Sequence, residues 1–179
     1  DISFASSSDT KLAQGDSLVV DPVPALIWST TYGLGQGNAI RSNSSGTFIC
    51  GNTSSASGIA TTGAHQTTYG GNSDGCIASF SSSGVLNWAT YYGGTAYDLA
   101  TALTSSHDTL YVVGTTASST NIATSGTFQS TAPPQDNAYL AQFLSTGVRL
   151  WGTYFGGIYS DQGYAVAVDD SGNPYLAGA

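Results

Sequence analysis

Short apolar runs separated by turn residues recur along the chain and predict β-strands. In the segment 85–147 these runs are 86–92, 99–104, 109–115 and 137–143. Gly, Ser, Thr, Asp and Asn lie between the runs and favour turns. Strands joined in sequence by short turns form an antiparallel meander, so each period of the pattern predicts one four-stranded sheet. The one long connection, 116–136, is rich in Ser, Thr, Gly and Pro and is predicted to be a surface loop.

The pattern of strands repeats. The segment Leu26–Gly33 returns as Leu86–Gly94 and as Leu150–Gly157, and the tryptophans of the last two copies are 63 positions apart. Further segments keep this offset, namely 48–51 with 111–114, 59–63 with 122–126 and 76–80 with 139–143. Such self-similarity is typical of repeat proteins. We divide the chain into 1–24 (the end of a preceding domain or a linker strand), 25–84 (repeat 1), 85–147 (repeat 2) and 148–179 (partial repeat 3).

Both faces of the first strand in each repeat carry bulky side chains. Because side chains alternate between faces, Trp88 and Tyr92 share one face and Tyr91 lies on the other. Such a sheet needs cover on both sides, which a radial stack of blades provides. We therefore expect an all-β fold of four-stranded antiparallel meander repeats of the β-propeller type, in an incomplete ring of about two and a half blades.

The aromatic residues of these strands are the predicted core of each repeat. They are Trp28, Trp88, Trp151, Tyr32, Tyr92 and Phe155. Burying one such side chain contributes about 2–3 kcal/mol. The alternative for the three tryptophans is an exposed platform on which sugars stack.

The composition narrows the classes of function. Only 8% of the residues are charged, the net charge is −8, and Lys11, Arg41 and Arg149 are the only Lys and Arg residues. Phosphate binding needs clustered cations, so we expect no nucleic-acid partner. No run approaches the roughly 20 apolar residues of a membrane helix, so we expect no membrane insertion. The 40% hydrophobic and 11% aromatic content opposes disorder. Few charges, many hydroxyl groups and only two cysteines favour an extracellular or cell-surface location.

One motif resembles a known family. The pattern Trp-x-Thr-Tyr-Tyr-Gly-Gly followed by Asp is found at Trp88–Gly94 with Asp98, and in related form at Trp151–Gly157 with Asp161. A second pattern, Ala-Val-Ala-Val-Asp-x-Ser-Gly-Asn-x-Tyr-x-x-Gly, is found at Ala165–Gly178. Together they resemble the bacterial β-propeller repeat family known as SBBP. The resemblance implies secretion and a scaffolding or surface role, without a defined activity.

The resemblance covers about residues 26–179, and repeat 1 departs from it because it has no counterpart of Asp98. Leu18–Pro22 also resembles the segment that precedes the first such repeat in long bacterial surface proteins. Since the chain begins at Asp1 and lacks Met, we expect it to be processed or to belong to a longer protein.

The ionisable residues do not form a recognisable catalytic motif. Asp98 and Asp161 recur at one position, where each is predicted to cap a turn by accepting backbone N–H bonds; calcium binding and catalysis are the alternatives. His65 aligns with Thr127, and neither His65 nor His107 has a second ligand at metal spacing. We find no nucleophile elbow and no phosphate loop followed by a helix. The prediction is therefore no catalytic, cofactor or metal site.

Cys50 and Cys76 are predicted to lie in adjacent strands of repeat 1. In an oxidising compartment they can form a disulfide, which would close a loop of about 25 residues and add roughly 3 kcal/mol to the stability. The alternative is two buried free thiols.

The leading functional prediction is a non-catalytic structural or interaction module of a secreted or cell-surface bacterial protein. Its partners would be other domains of a longer chain or other copies of itself, because a closed propeller takes four to eight blades. One alternative is an adhesin-like module that binds glycans or a surface partner through the loops at 53–73 and 116–136, or a part of an extracellular fibre. Another is an enzyme whose active residues lie elsewhere.

Overall fold

The computed structural model describes residues 26–179, which form ten β-strands. The strands are β1 (Gln36–Asn43), β2 (Gly46–Thr53), β3 (Asp74–Phe80), β4 (Leu86–Tyr92), β5 (Asp98–Ser106), β6 (Thr109–Thr116), β7 (Asn137–Leu144), β8 (Arg149–Phe155), β9 (Gly163–Val168) and β10 (Pro174–Gly178). This part of the chain contains no helix, in keeping with a sequence poor in Lys and Arg and without Glu or Met. The prediction of an all-β fold is confirmed.

The strands form three antiparallel sheets, each in chain order. Sheet 1 has the order β1-β2-β3-β4, sheet 2 has the order β5-β6-β7-β8, and sheet 3 consists of β9 and β10. Two-residue turns join the first two strands of sheets 1 and 2, so that Asn43 is opposite Gly46 and Ser106 is opposite Thr109. The two complete sheets are therefore four-stranded meanders.

The sheets and the sequence repeats are out of phase by one strand. The strand that carries Trp88 pairs with β3 and completes sheet 1, whereas the sequence pattern grouped it with the strands that follow. The chain then turns at Gly93 and Gly94, and the Asp98 amide donates to the Ser73 carbonyl (2.7 Å) at the start of sheet 2. The predicted meander of 86–92, 99–104, 109–115 and 137–143 is thus corrected to β5–β8. A regular period has no preferred starting point, so the repeat alone did not determine which strands pair.

The first strands of consecutive sheets lie side by side, β1 against β5 and β5 against β9. Asn38 in β1 donates from Nδ2 to the Ala100 carbonyl in β5 (2.8 Å). Thr101 in β5 donates from Oγ1 to the Gly163 carbonyl in β9 (2.6 Å). Residues 38 and 101, like residues 100 and 163, are 63 positions apart. A side-chain donor at the corresponding position therefore bonds each first strand to the next, an amide in β1 and a hydroxyl in β5.

The main core lies between sheets 1 and 2. Its buried side chains come from both sheets and include Phe48 and Ile77 from sheet 1 and Val112, Tyr139 and Phe143 from sheet 2. Fully burying each large apolar side chain contributes roughly 1.5–3 kcal/mol. The two sheets therefore bury their facing surfaces against each other.

Candidate functional site

The most regular feature of the structure is a contact of a Trp and a Tyr side chain with the following sheet, which we call the aromatic clamp. In the first clamp Trp28 and Tyr32 pack on Phe80 and on Gly84, which lies in the turn between β3 and β4. The Tyr32 and Phe80 rings meet edge to face with centroids 5.7 Å apart. A Cβ atom at Gly84 would lie 2.7 Å from the Trp28 ring. Only glycine leaves room for the indole ring at this turn.

The second clamp repeats the first one sheet further along. Trp88 and Tyr92 in β4 pack on Phe143 and Gly147 of sheet 2, with the Tyr92 and Phe143 centroids 5.5 Å apart. A Cβ atom at Gly147 would lie 2.7 Å from the Trp88 ring. The Trp88 indole also donates from Nε1 to the Ser145 carbonyl (2.8 Å). The second clamp thus joins the last strand of sheet 1 to the third strand and following turn of sheet 2, whereas in the first clamp the aromatic rings come from the segment before β1.

The predicted core residues differ in burial. Tyr92 is fully buried, whereas Trp28, Trp88, Trp151, Tyr32 and Phe155 are half-buried. Trp28 and Trp88 lie in clamps rather than on a flat exposed platform. Trp151 and Phe155 face an open cavity of about 390 Å³. Sequence alternation found these positions but not the turn glycines that cover the rings, because a side-chain pattern says nothing about the backbone of the next sheet.

Asp98 holds the turn that connects sheets 1 and 2. Its Oδ2 accepts hydrogen bonds from the Gly94 amide (2.8 Å) and the Ser118 hydroxyl (2.8 Å), and its Oδ1 accepts one from the Thr116 hydroxyl. Burial raises the pKa of Asp98, and these donors oppose the rise. Asp161 accepts from the Gly157 amide (2.7 Å) at the corresponding turn. Both residues thus lie where backbone N–H groups of a turn point at the carboxylate, the geometry of a turn cap.

A second buried carboxylate lies beside Asp98. Asp74 accepts from the Gly70 amide (2.8 Å) and from Gln66 Nε2 (3.1 Å) through Oδ2. Burial, with a smaller contribution from the negative charge of Asp98, raises the pKa of Asp74 to about 6. A Cβ atom at Gly93 would lie 2.7 Å from Asp98 Oδ2 and 3.0 Å from Asp74 Oδ1. Asp74 was not predicted from the sequence, because the residue 63 positions later is Asn137 and the carboxylate does not recur.

The long loops cover the outer edges of the sheets. Thr61 in the first loop donates from its amide to the Ala89 carbonyl in β4 (2.9 Å), and its Oγ1 accepts from the Ala89 amide (3.1 Å). Gln66 accepts from the amides of Tyr91 (3.1 Å) and Gly93 (3.1 Å). These bonds provide partners for backbone N–H and C=O groups on the edge of β4 that does not face β3.

The second loop repeats these bonds on β8. Thr124 bonds both backbone groups of Gly152, and Gln129 accepts from the amides of Tyr154 and Gly156. Thr61 and Thr124, like Gln66 and Gln129, are 63 positions apart. The predicted surface loop at 116–136 and the long loop at 53–73 are therefore attached to the sheets along part of their length.

The structure does not support a disulfide between Cys50 and Cys76. Both cysteines are buried and free. Cys50 is opposite Ile77, and Cys76 is opposite Gly51, so the two residues are offset by one position. Because successive side chains point to opposite faces, the thiols project from opposite sides of sheet 1. The disulfide prediction is corrected, and the structure has the alternative of two buried thiols.

His65 lies in a cleft between the two sheets. Its ring packs between Tyr92 and Phe143, with centroids 6.0 and 5.9 Å away. Burial, together with the positive charge of Arg149, lowers the pKa of His65 to about 4. Gln66 and Gln129 make the same hydrogen bonds, so the residues that precede them, His65 and Phe128, correspond to each other. The alignment of His65 with Thr127 in the sequence analysis is thereby corrected. Its position is therefore an aromatic packing position at the clamp.

Within the described residues no group of three or more His, Cys, Asp or Glu side chains could hold a metal ion. Residues 26–179 also include no helix that could span a membrane. No model of a known protein family matches the sequence, and no curated protein matches it.

Proposed function

We propose that this chain is a non-catalytic structural module of a secreted or cell-surface protein, built from blades of the β-propeller type. The observation that carries the proposal is the repeated aromatic clamp, Trp28 and Tyr32 on sheet 1 followed by Trp88 and Tyr92 on sheet 2. The second clamp joins sheet 1 to sheet 2, and the first clamp holds residues 28–32 on sheet 1 through the corresponding contacts. Such nearest-neighbour contacts are how repeat proteins extend a scaffold.

Two further features support a radial stack of blades. First strands lie against first strands through the bonds from Asn38 and Thr101, which places one end of every sheet along a common line. The opposite edges, β4 and β8, are covered by the long loops. A stack with its inner strands together and its outer edges covered resists edge-to-edge aggregation.

The location is proposed from the composition and from the resemblance to SBBP repeats. A surface with few charges and many Ser, Thr and Gly residues is compatible with an extracellular environment. The two free thiols do not oppose this location, because burial raises the pKa of Cys50 to about 12 and keeps it in the unreactive thiol form.

The proposal is tested by a matched pair of glycine substitutions. Gly147 (φ 91°) and Gly126 (φ 82°) both have left-handed backbone conformations, so an alanine is strained at either position. Only Gly147 faces an indole ring, whereas a Cβ atom at Gly126 would have no neighbour within 4 Å. We expect Gly147→Ala to accelerate hydrogen exchange in both sheet 1 and sheet 2, and Gly126→Ala to change it only locally. Equal effects of the two substitutions would refute the clamp as the structural element.

Glycan binding is a second candidate, favoured by one cleft. A cavity of about 360 Å³ lies between the first long loop and the turn before β8, with Trp88, His65 and Arg149 in its lining. An aromatic ring beside a cation is suited to an acidic sugar. Binding of the full chain on a glycan array, lost in Arg149→Gln, would favour this candidate over the purely structural one.

A further inference from the structure

We propose that the exposed aromatic surface formed by Phe128, Trp151 and Phe155 is a docking site for a β-hairpin of a further repeat unit, one that carries a Phe-x-x-x-Gly sequence. The inference rests on the proposed structural function and names the partner that this function requires.

Within residues 26–179, the surface is an aromatic clamp without its partner. Trp151 and Phe155 lie 63 positions after Trp88 and Tyr92, the tryptophan and tyrosine of the second clamp. Phe128 stacks on Phe155 with centroids 5.1 Å apart and remains 81% exposed. Together they border the cavity of about 390 Å³. An apolar surface of this kind on a repeat protein marks an interaction site.

The residues that cover the first and second clamps indicate which residues would cover Trp151 and Phe155. In the first clamp the cover consists of Phe80 and Gly84, and in the second it consists of Phe143 and Gly147. In both covers the glycine follows the phenylalanine by four positions and has a positive φ, 80° and 91°. A partner for Trp151 and Phe155 therefore presents a phenylalanine at the end of a strand and a left-handed glycine in the turn that follows.

The register of strand pairing in sheet 2 shows where a strand added to sheet 3 would place its phenylalanine. In sheet 2 the strand that carries Phe143 pairs with β6, where Phe143 is opposite Leu110. Leu110 is itself opposite Ser105 in β5. Val168 in β9 lies 63 positions after Ser105, and it is opposite Pro174 in β10. Pro174 is therefore the position in sheet 3 that corresponds to Leu110. Pro174 lines the cavity beside Trp151 and Phe155. A strand added to the edge of β10 in this register would bring its phenylalanine to the open clamp.

A second copy of this chain does not offer the required hairpin. The sequence contains Phe-x-x-x-Gly only at Phe80–Gly84 and Phe143–Gly147. Both are already covered, by Trp28 and Trp88 respectively. A copy would have to open one of its own clamps to fill another. The hairpin of an additional unit has no such requirement.

The test extends the full chain with the proposed partner. A copy of residues 116–155 is added after Ala179, which supplies a long loop, a third strand with its Phe-x-x-x-Gly turn, and a fourth strand. We expect hydrogen exchange at residues 174–178 to slow by about tenfold and the Tm to rise by roughly 5 °C. In a matched control, valine replaces only the added glycine that corresponds to Gly147. Because a Cβ atom at Gly147 would lie 2.7 Å from the Trp88 ring, this control should lose most of both effects.

Trp151→Ala in both chain lengths completes the test. We expect it to lower the Tm of the extended chain much more than that of the original chain. Unchanged exchange at 174–178, or equal behaviour of the glycine and valine extensions, would overturn the inference. So would self-association of the original chain that Trp151→Ala abolishes, since a second copy would then be the occupant. The comparison of Gly147→Ala with Gly126→Ala does not involve the extension, so failure of the docking site alone leaves the structural proposal standing.

Discussion

Asp74 and Asn137 occupy the same position in sheets 1 and 2, and each has a buried side-chain oxygen, Oδ1, without a hydrogen-bond partner in the described part of the chain. The two positions differ in charge. Asp74 faces a second carboxylate, Asp98, whereas Asn137 faces Asp161 as a neutral amide. A buried unpartnered oxygen costs stability, and a negative charge on it increases that cost.

We expect Asp74→Asn to stabilise the protein at pH 8 and to have little effect at pH 4. The folded-state pKa of Asp74 is about 6, above the value of about 3.9 expected in the unfolded chain. The folded state therefore holds the proton more tightly, and stability is lost as the pH rises from about 4 to about 6. Asparagine removes this loss. Calorimetric Tm values of both proteins between pH 4 and pH 8 measure the difference.

The reciprocal change, Asn137→Asp, is the control. It places a second carboxylate beside Asp161 and should lower the Tm more at pH 8 than at pH 4. A pH-independent effect of Asp74→Asn would show that the carboxylate of Asp74 is not perturbed in the folded state.

Trp88→Ala should destabilise the protein more than Trp151→Ala. Trp88 loses its packing on Phe48 and Gly147 and its hydrogen bond to Ser145, a large-to-small change that costs roughly 2–4 kcal/mol for a half-buried ring. Trp151 has the same place in its strand but no covering glycine among residues 26–179, so we expect about 1 kcal/mol less from this substitution. Urea unfolding of the two variants gives both values. Equal losses would mean that the clamp adds nothing to the burial of the ring within its own sheet.

Much of the fold follows from the period of the sequence. The predicted strands 86–92, 109–115 and 137–143 agree with β4, β6 and β7 to within one residue at each end, because apolar runs and turn residues mark both limits. The pairing of β4 with β3 could not be predicted. The 63-residue period gives the order of the strands but not the strand with which each sheet begins.

The aromatic residues of the candidate site could be predicted from the sequence, whereas the glycines that cover them could not. Trp88, Tyr92 and Trp151 were predicted from alternation along a strand, which is local information. The covering glycine, Gly147, could have been suspected only because it recurs 63 positions after Gly84. In a chain with 23 glycines such a recurrence carries little information without the structure, which shows that both lie under an indole ring.

Both cysteine thiols should be protected in the folded protein and available after unfolding. Cys50 and Cys76 are fully buried, and burial raises the pKa of both thiols, so little reactive thiolate forms at pH 8. A maleimide reagent should label neither residue in the native chain and both residues in denaturant without reductant, as read from intact mass. Labelling that requires prior reduction would instead show a disulfide and a shifted register between β2 and β3.

Because the first long loop is attached to β4 through Thr61, we expect the substitution Thr61→Val to destabilise the protein. Thr61→Val keeps the shape of the side chain but removes the hydroxyl that accepts a hydrogen bond from the Ala89 amide (3.1 Å) and donates one to the Ala89 carbonyl (3.3 Å). Ala89 is fully buried, so its amide would be left without a partner at a cost of about 1–3 kcal/mol. The edge of β4 would also open more readily and pair with other chains. We therefore expect a lower Tm and concentration-dependent aggregation on heating, measured by light scattering.

Thr62→Val, at the exposed neighbouring position, is the matched control and should leave both the Tm and the aggregation unchanged. If both variants behave like the parent chain, the loop does not protect this edge, and the coverage of β4 would have to come from elsewhere.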